Sequence, residues 1–184
     1  MLMHINNNTL EISIGDITKQ FKDVIVNAAN GSLSGGGGVD GAIHRAAGPK
    51  LMKACQTIRN KDLNGEHLKT GEVVITKGYN LPAKFIIHTV GPIWDPNLKE
   101  LQQKQLANCY WNALSLAKSL QLKSIAFPSI STGAYGFPIE LASSIALKTI
   151  TDFLNQNNFG KVIITLFSKE DLRVYTNKIT SLKN

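Results

Sequence analysis

The chain has 184 residues, 43% hydrophobic and 18% charged, a globular composition that fits one domain over residues 1–184 and excludes a disordered chain. Its net charge of +7 favours an anionic partner, a phosphorylated small molecule or a nucleic acid, on even terms with a plain solubility charge carried mostly by lysine. Two cysteines, Cys55 and Cys109, exclude a disulfide framework or a CxxC metal site and read as buried free thiols suited to a reducing cytosol.

Met1 to Asn8 is polar and lacks the apolar centre of a signal peptide. No apolar run approaches the ~20 residues that span a bilayer, so a cytoplasmic protein with no membrane partner is expected. Thr9 to Ile14 alternates apolar and polar, the mark of a half-buried strand. Gly15 to Thr18 ends it as a turn or the first turn of a short helix. Val24 to Ala28 is a short β-branched run, a strand buried on both faces. A glycine-rich loop follows, and Val39 to Ala47 reads as helix. Pro49 is placed as a first helical residue, and helical spacing holds to about Arg59. Lys61 to Gly71 is a polar loop. Glu72 to Lys77 and Phe85 to Val90 are strands, and Gly91-Pro92 stops the second. Leu98 to Leu120 repeats apolar residues with the 3.6 period of a long helix. Ser124 to Phe127 is a strand, Ser129 to Gly136 a second small-residue loop, and Pro138 opens a helix through Leu154. Lys161 to Phe167 is the last strand, and Ser168 caps a final helix to about Leu182. Strands alternate with helices and look covered on both faces, which predicts an α/β sandwich with a largely parallel sheet.

Ligands in such sheets bind at the carboxyl ends of strands. Two loops meet that description, Asn27 to Val39 and Ser129 to Phe137, and each precedes a helix N-terminus. Backbone N–H groups and helix dipoles would converge there on an anion. Glycine orders at high entropic cost, so a run such as Gly35 to Gly38 persists where the chain needs positive φ or something lies against bare backbone. Neither loop is a Walker A or GxGxxG motif, and a diphosphate ligand is the natural expectation. HExxH, GxSxG and His/Cys ligand clusters are absent from the sequence.

Asp40 is the only carboxylate in either loop. It either charges the helix N-terminus or acts on a ligand. Asn30 serves a turn in the left-handed conformation or holds a hydroxyl or water with its amide. Asn27 is best read as bracing the loop, His88 as a hydrogen-bonded core histidine, and His44 as packing or support for Asp40. Asp16 charges a helix start or accepts from an amino group such as that of adenine. Tyr135 and Phe137 are core or line a sugar pocket, and Phe167 stacks on a base or packs in the core.

At these residues the sequence resembles the macrodomain family, and within it the MacroD-type branch. The resemblance is carried by Gly15-Asp-Ile-Thr18, Val24-Ile-Val-Asn-Ala-Ala-Asn30, Gly35 to Pro49, His88-Thr-Val-Gly-Pro92 and Pro128 to Pro138. It implies a three-layer α/β/α sandwich around a mixed, largely parallel sheet, an ADP-ribose cleft, removal of mono-ADP-ribose from acidic side chains of proteins, and deacetylation of O-acetyl-ADP-ribose. ADP-ribosylated nucleic acid ends are a further substrate it allows. Asn30 and Asp40 would face the distal ribose and the attacking water as the catalytic pair. Asp16 would hold the adenine amino group, with Phe167 flanking the base and Tyr135 beside the distal ribose. Gly35, Gly36, Gly37, Gly38, Val39, Ser131, Thr132, Gly133, Ala134, Tyr135 and Gly136 would wrap the diphosphate, and Ile17 and Asn27 complete the binding set. The loop lacks the Cys/His ligands of zinc-dependent macrodomains, so no metal and no cofactor are expected, and a monomer is. The rival reading is a reader module that binds ADP-ribose without turnover.

One carboxylate suffices for this chemistry. Glycosidases generally need two, one of them to protonate the leaving oxygen, but an ester at the distal ribose already carries a good leaving group. A bound diphosphate should raise the pKa of Asp40 through like-charge repulsion and make it a better base.

Overall fold

Successive residues of the central strands serve two different cores. Val24 and Val26 pack on one side of the sheet and Ile25 on the other; Ile87 and Ile86 divide in the same way, as do Ile125 and Ala126, and Val162 and Ile163. That alternation follows from the two-residue period of a strand, and apolar residues at both phases require helices on both faces.

The computed structural model describes residues 1–181. The strands are β1 (Leu2–Ile5), β2 (Asn8–Ile14), β3 (Val24–Ala28), β4 (Val73–Lys77), β5 (Phe85–Thr89), β6 (Ser124–Phe127) and β7 (Lys161–Leu166). The helices are α1 (Gly38–Ala47), α2 (Pro49–Thr57), α3 (Lys99–Ser119), α4 (Ile139–Gln156) and α5 (Lys169–Ser181). The strands form one sheet in the order β1-β2-β7-β6-β3-β5-β4. The inner pairs are parallel, while β1 on β2 and β4 on β5 are antiparallel. α1 and α2 cover one face through Ile43, Ala47, Leu51 and Cys55. α3, α4 and α5 cover the other through Leu106, Leu114, Ala146, Ile150 and Tyr175. Both cysteines are buried free thiols. The α/β sandwich that the strand and helix pattern predicts is present, in the three-layer form around a mixed sheet that the resemblance implies.

Three local features differ from the sequence reading. Met1 to Asn8, read only as a polar terminus, supplies edge strand β1, which turns back on β2 through Asn6 at φ 51°. The helix after Pro49 does not run regularly to Arg59; it widens into a looser turn over Ile58–Asp62. Leu182, the expected end of the last helix, lies outside the described residues. Ser168 does cap that helix, its Oγ accepting from the Asp171 N–H at 3.0 Å. Among the described residues no helix is long and apolar enough to cross a membrane.

Candidate active site

β3 and β6 are adjacent and parallel, so the loops that leave their carboxyl ends face each other across the sheet edge. The first loop runs from Asn30 into α1. Asn30 holds it together: its Nδ2 donates to the Gly35 carbonyl at 2.7 Å, and its Oδ1 accepts from Ser32 Oγ at 2.8 Å and the Ser34 N–H at 3.2 Å. Leu33, at φ 55°, takes the left-handed conformation expected of Asn30. Gly35 and Gly38 adopt φ 74° and 55°, which glycine does without steric cost. Gly41 has no room for a side chain, since a Cβ would lie 2.2 Å from the Gly36 carbonyl oxygen. No side chain caps the first turn of α1, and its free N–H groups leave an anion-binding end.

Asp40 sits in that first turn and is only 5% exposed. Its Oδ1 accepts from Asn27 Nδ2 at 2.7 Å and lies 3.5 Å from His44 Nε2. A carboxylate can only accept, so this contact fixes which way the Asn27 amide points. The same Nδ2 donates to His88 Nδ1 at 3.1 Å, and His88 Nε2 then donates to Thr76 Oγ1 at 2.9 Å. A line of buried polar groups therefore runs from β4 through β5 and β3 to the carboxylate. Burial drives the His88 pKa down to about 3, which keeps the imidazole neutral and able to accept. The Asp40 pKa is raised, first by burial; the Asn27 hydrogen bond and the charge of His44 pull the other way. Oδ2 faces Gly36, where a Cβ would lie 3.4 Å from it and 3.6 Å from Asn30 Nδ2. Gly36 therefore stands between the two candidate catalytic side chains.

The second loop is built from below. Tyr110 of α3 and Tyr175 of α5, both fully buried, support it. The Tyr110 hydroxyl accepts from the Ile130 N–H at 3.2 Å, and the Tyr175 hydroxyl lies 2.9 Å from Ser129 Oγ. The Phe137 N–H donates to the Ser131 carbonyl at 3.0 Å, and the Gly136 N–H to the Gly133 carbonyl at 2.9 Å. Ser131 is left-handed at φ 66°, and its hydroxyl packs where a Cβ on Gly91 would fall. Gly133 and Gly136 face open space. Thr132 and Tyr135 are half-buried, and Ala134 is exposed. Phe137 is core, packed on Trp94 with ring centroids 4.6 Å apart.

The remaining sequence candidates fall in different places. Asp16 follows β2 after Gly15 and caps the short turn Ile17–Lys19: its Oδ1 accepts from the Thr18 N–H at 2.9 Å and Thr18 Oγ1 at 2.6 Å. The Thr18 hydroxyl bond holds its pKa below the usual carboxylate value. The Ile17 side chain belongs to the core under α1. Asn27 is fully buried, and both of its N–H bonds face Asp40 and His88, so it supports the carboxylate from behind the cleft surface. Phe167 is 94% exposed directly after β7, which rules out core packing. Tyr110 and Tyr175 escaped the sequence reading because each falls on a helix's apolar face; no local signal marks a hydroxyl reaching a loop. Among the described residues, no group of three or more His, Cys, Asp or Glu is arranged to hold a metal ion.

Comparison with known proteins adds a family to this geometry. Residues 26–146 match the model of the Macro domain. A solved Oceanobacillus iheyensis macrodomain with ADP superposes with a TM-score of 0.97 at 61% identity, covering 100% of this chain and 96% of that one. A protein of Escherichia fergusonii named O-acetyl-ADP-ribose deacetylase is 50% identical over 167 residues, covering 90% of this chain and 92% of its own. The mouse ADP-ribose glycohydrolase MACROD2 is also 50% identical over 167 residues, covering 90% of this chain and 34% of its own.

Proposed function

This chain belongs to the Macro domain family, and on that premise we propose that it binds ADP-ribose and hydrolyses esters at the distal ribose. The substrates are mono-ADP-ribose on acidic side chains of proteins and O-acetyl-ADP-ribose. ADP-ribose lies along the carboxyl edge of the sheet. Its adenine is at Asp16 with Phe167 beside it, its diphosphate between the two loops, and its distal ribose at Asn30 and Asp40. From β2 to β3 is three strand steps, about 14 Å at the usual spacing, a span suited to an extended nucleotide.

The observation that carries the reading is the state of Asp40. Its carboxylate is buried, gripped at one oxygen by Asn27 and free at the other, at the mouth of an anion-binding helix end. Burial raises its pKa, which makes it a better proton acceptor. Oδ2 takes the proton of an attacking water. Asn30 Nδ2, with one N–H on Gly35, has a second donor for that water or a ribose hydroxyl. Water adds across the ester: the ribose regains a hydroxyl, the acceptor leaves as a carboxylate, and one proton is released. Where the bond from the ribose carbon to the acceptor breaks, no general acid is needed, since a carboxylate is already a good leaving group; where water attacks the acyl carbon instead, the ribose oxygen leaves and takes the proton that Asp40 accepted.

The test is release of label from a protein mono-ADP-ribosylated on glutamate, run beside O-acetyl-ADP-ribose and beside ADP-ribose on a nucleic acid 5′-phosphate. Turnover of the first two supports the enzyme. Tight ADP-ribose binding with no release at high protein concentration leaves a reader module.

A further inference from the structure

The sheet edge continues past Asp40, and what lies there has no role in the reading above. Next to β3 is β5, and next to that β4. Over the carboxyl end of β5 and the amino end of its antiparallel neighbour β4 sits a cavity of about 760 Å³. It touches the candidate active site at two points, Gly31, directly after Asn30, and Tyr135 of the second loop. Leu68, Val90, Gly91 and Pro92 line it and are buried. Lys69 and Ile93 also line it and are exposed, and Thr70 is half-buried.

The cavity is a built feature. The Leu68 N–H donates to the Gly31 carbonyl at 2.9 Å, tying one wall to the first loop. The Trp94 N–H donates to the Tyr135 carbonyl at 2.8 Å, tying the other wall to the second loop. Buried Gln102 pins the Ile93–Asp95 segment from both ends of its amide. Thr70 bridges to Val90, and the Gly71 N–H donates to the Val90 carbonyl at 2.9 Å. Ile93 is nevertheless 65% exposed, and no carboxylate lines the cavity.

We propose that this cavity holds the acceptor: the peptide segment carrying the ADP-ribosylated glutamate or aspartate. The inference rests on the proposed orientation of ADP-ribose, with its distal ribose at Asp40. The group esterified there must leave the nucleotide cleft on the far side, and β5 and β4 are what that side offers. An apolar lining with exposed Ile93 suits peptide side chains, and Lys69 suits the freed carboxylate and its acidic neighbours. A nucleic acid would need a row of cations or stacking aromatics, and this lining has one lysine, one histidine and one tyrosine, a row of neither.

Lys69→Glu and Ile93→Asp test it, assayed on an ADP-ribosylated glutamyl peptide, on O-acetyl-ADP-ribose and on an oligonucleotide carrying ADP-ribose at a 5′-phosphate. Each variant is expected to lower kcat/KM on the peptide about tenfold, roughly 1.4 kcal/mol. O-acetyl-ADP-ribose, which carries no peptide, should be hydrolysed at the wild-type rate. Equal loss on both substrates, loss on neither, or loss on the oligonucleotide alone overturns the proposal. Failure of the wild type on every substrate sinks the enzymatic reading instead. The cavity is then judged by binding: on an Asp40→Asn background the variants should weaken the modified peptide and spare free ADP-ribose, and equal affinities for the peptide would overturn it.

Discussion

Asp23 stands just before β3, and Asp40 stands beyond its other end in the first turn of α1; the fold treats these two carboxylates in opposite ways. Both oxygens of Asp23 are occupied. Oδ1 takes Lys84 Nζ at 2.7 Å, and Oδ2 takes the N–H groups of Lys123 and Ser124 at 2.9 and 3.1 Å. Its pKa is held low, chiefly by the Lys84 hydrogen bond. It clamps the amino-terminal ends of β3, β5 and β6 together. Asp40 is more deeply buried, has one oxygen engaged, and its pKa is raised. A carboxylate satisfied on every side is a structural joint. One that is desolvated and half-satisfied is kept reactive at the expense of stability.

The largest effect separating the two is on hydrolysis. Asp40→Asn should lower kcat on O-acetyl-ADP-ribose by ~10²–10⁴-fold, the usual worth of a general base, while ADP-ribose affinity stays. Asp23→Ala should leave the rate per folded molecule unchanged. Wild-type turnover by Asp40→Asn would remove the contrast altogether.

The second effect is on stability. Asp23→Ala leaves the Lys123 and Ser124 donors without their acceptor and should cost about 1–3 kcal/mol, with Tm falling about 2–4 °C per kcal/mol in a domain of this size. Because the Asp23 pKa is lowered in the fold, its contribution is present above the ordinary carboxylate value of 3.8 and is lost as pH falls through and below it. Urea melts at pH 7 and pH 3 should therefore differ more for the wild type than for Asp23→Ala.

A smaller effect sharpens the account of Asp40. Asn27 lowers the Asp40 pKa by its hydrogen bond. Asn27→Ala removes that influence, so the carboxylate becomes harder to ionise. The acid limb of the kcat/KM profile on O-acetyl-ADP-ribose should move to higher pH. General loosening of the fold lowers the plateau without moving the limb, so an unmoved limb would reduce Asn27 to packing.

What was legible in the sequence divides along the same line. The layers were legible because strand and helix periods are local. The two loops were legible because glycines and small residues cluster at strand ends, and Asp40 because it is the lone carboxylate among them. His88 was legible as a core histidine, lying in an apolar strand. The link from Thr76 through His88 and Asn27 to Asp40 was not, because it depends on the register of three strands: Val74 opposite His88, and His88 opposite Asn27. Phe167 follows an apolar strand and packs against nothing, which periodicity cannot distinguish from core. β1 was missed because it is only four residues long and only Ile5 is buried.

The smallest effect runs against intuition and tests the comparison from the other side. A carboxyl group whose pKa is raised by folding stabilises the protein while protonated. That advantage is lost as pH rises from the ordinary value of 3.8 through the raised one, and the full penalty remains at neutral pH. Asp40→Asn keeps an oxygen for the Asn27 donor and removes the buried charge. The inactive variant should therefore melt above the wild type at pH 7, by about 2–4 °C for each kcal/mol recovered, and the gap should close as pH drops below 4. Asp23→Asn, by contrast, should melt below the wild type at pH 7, because its Lys84 partner is then left facing a neutral amide. If both substitutions shift Tm in the same direction, the two ends of β3 are not opposed as their geometry requires, and Asp40 is one more structural carboxylate.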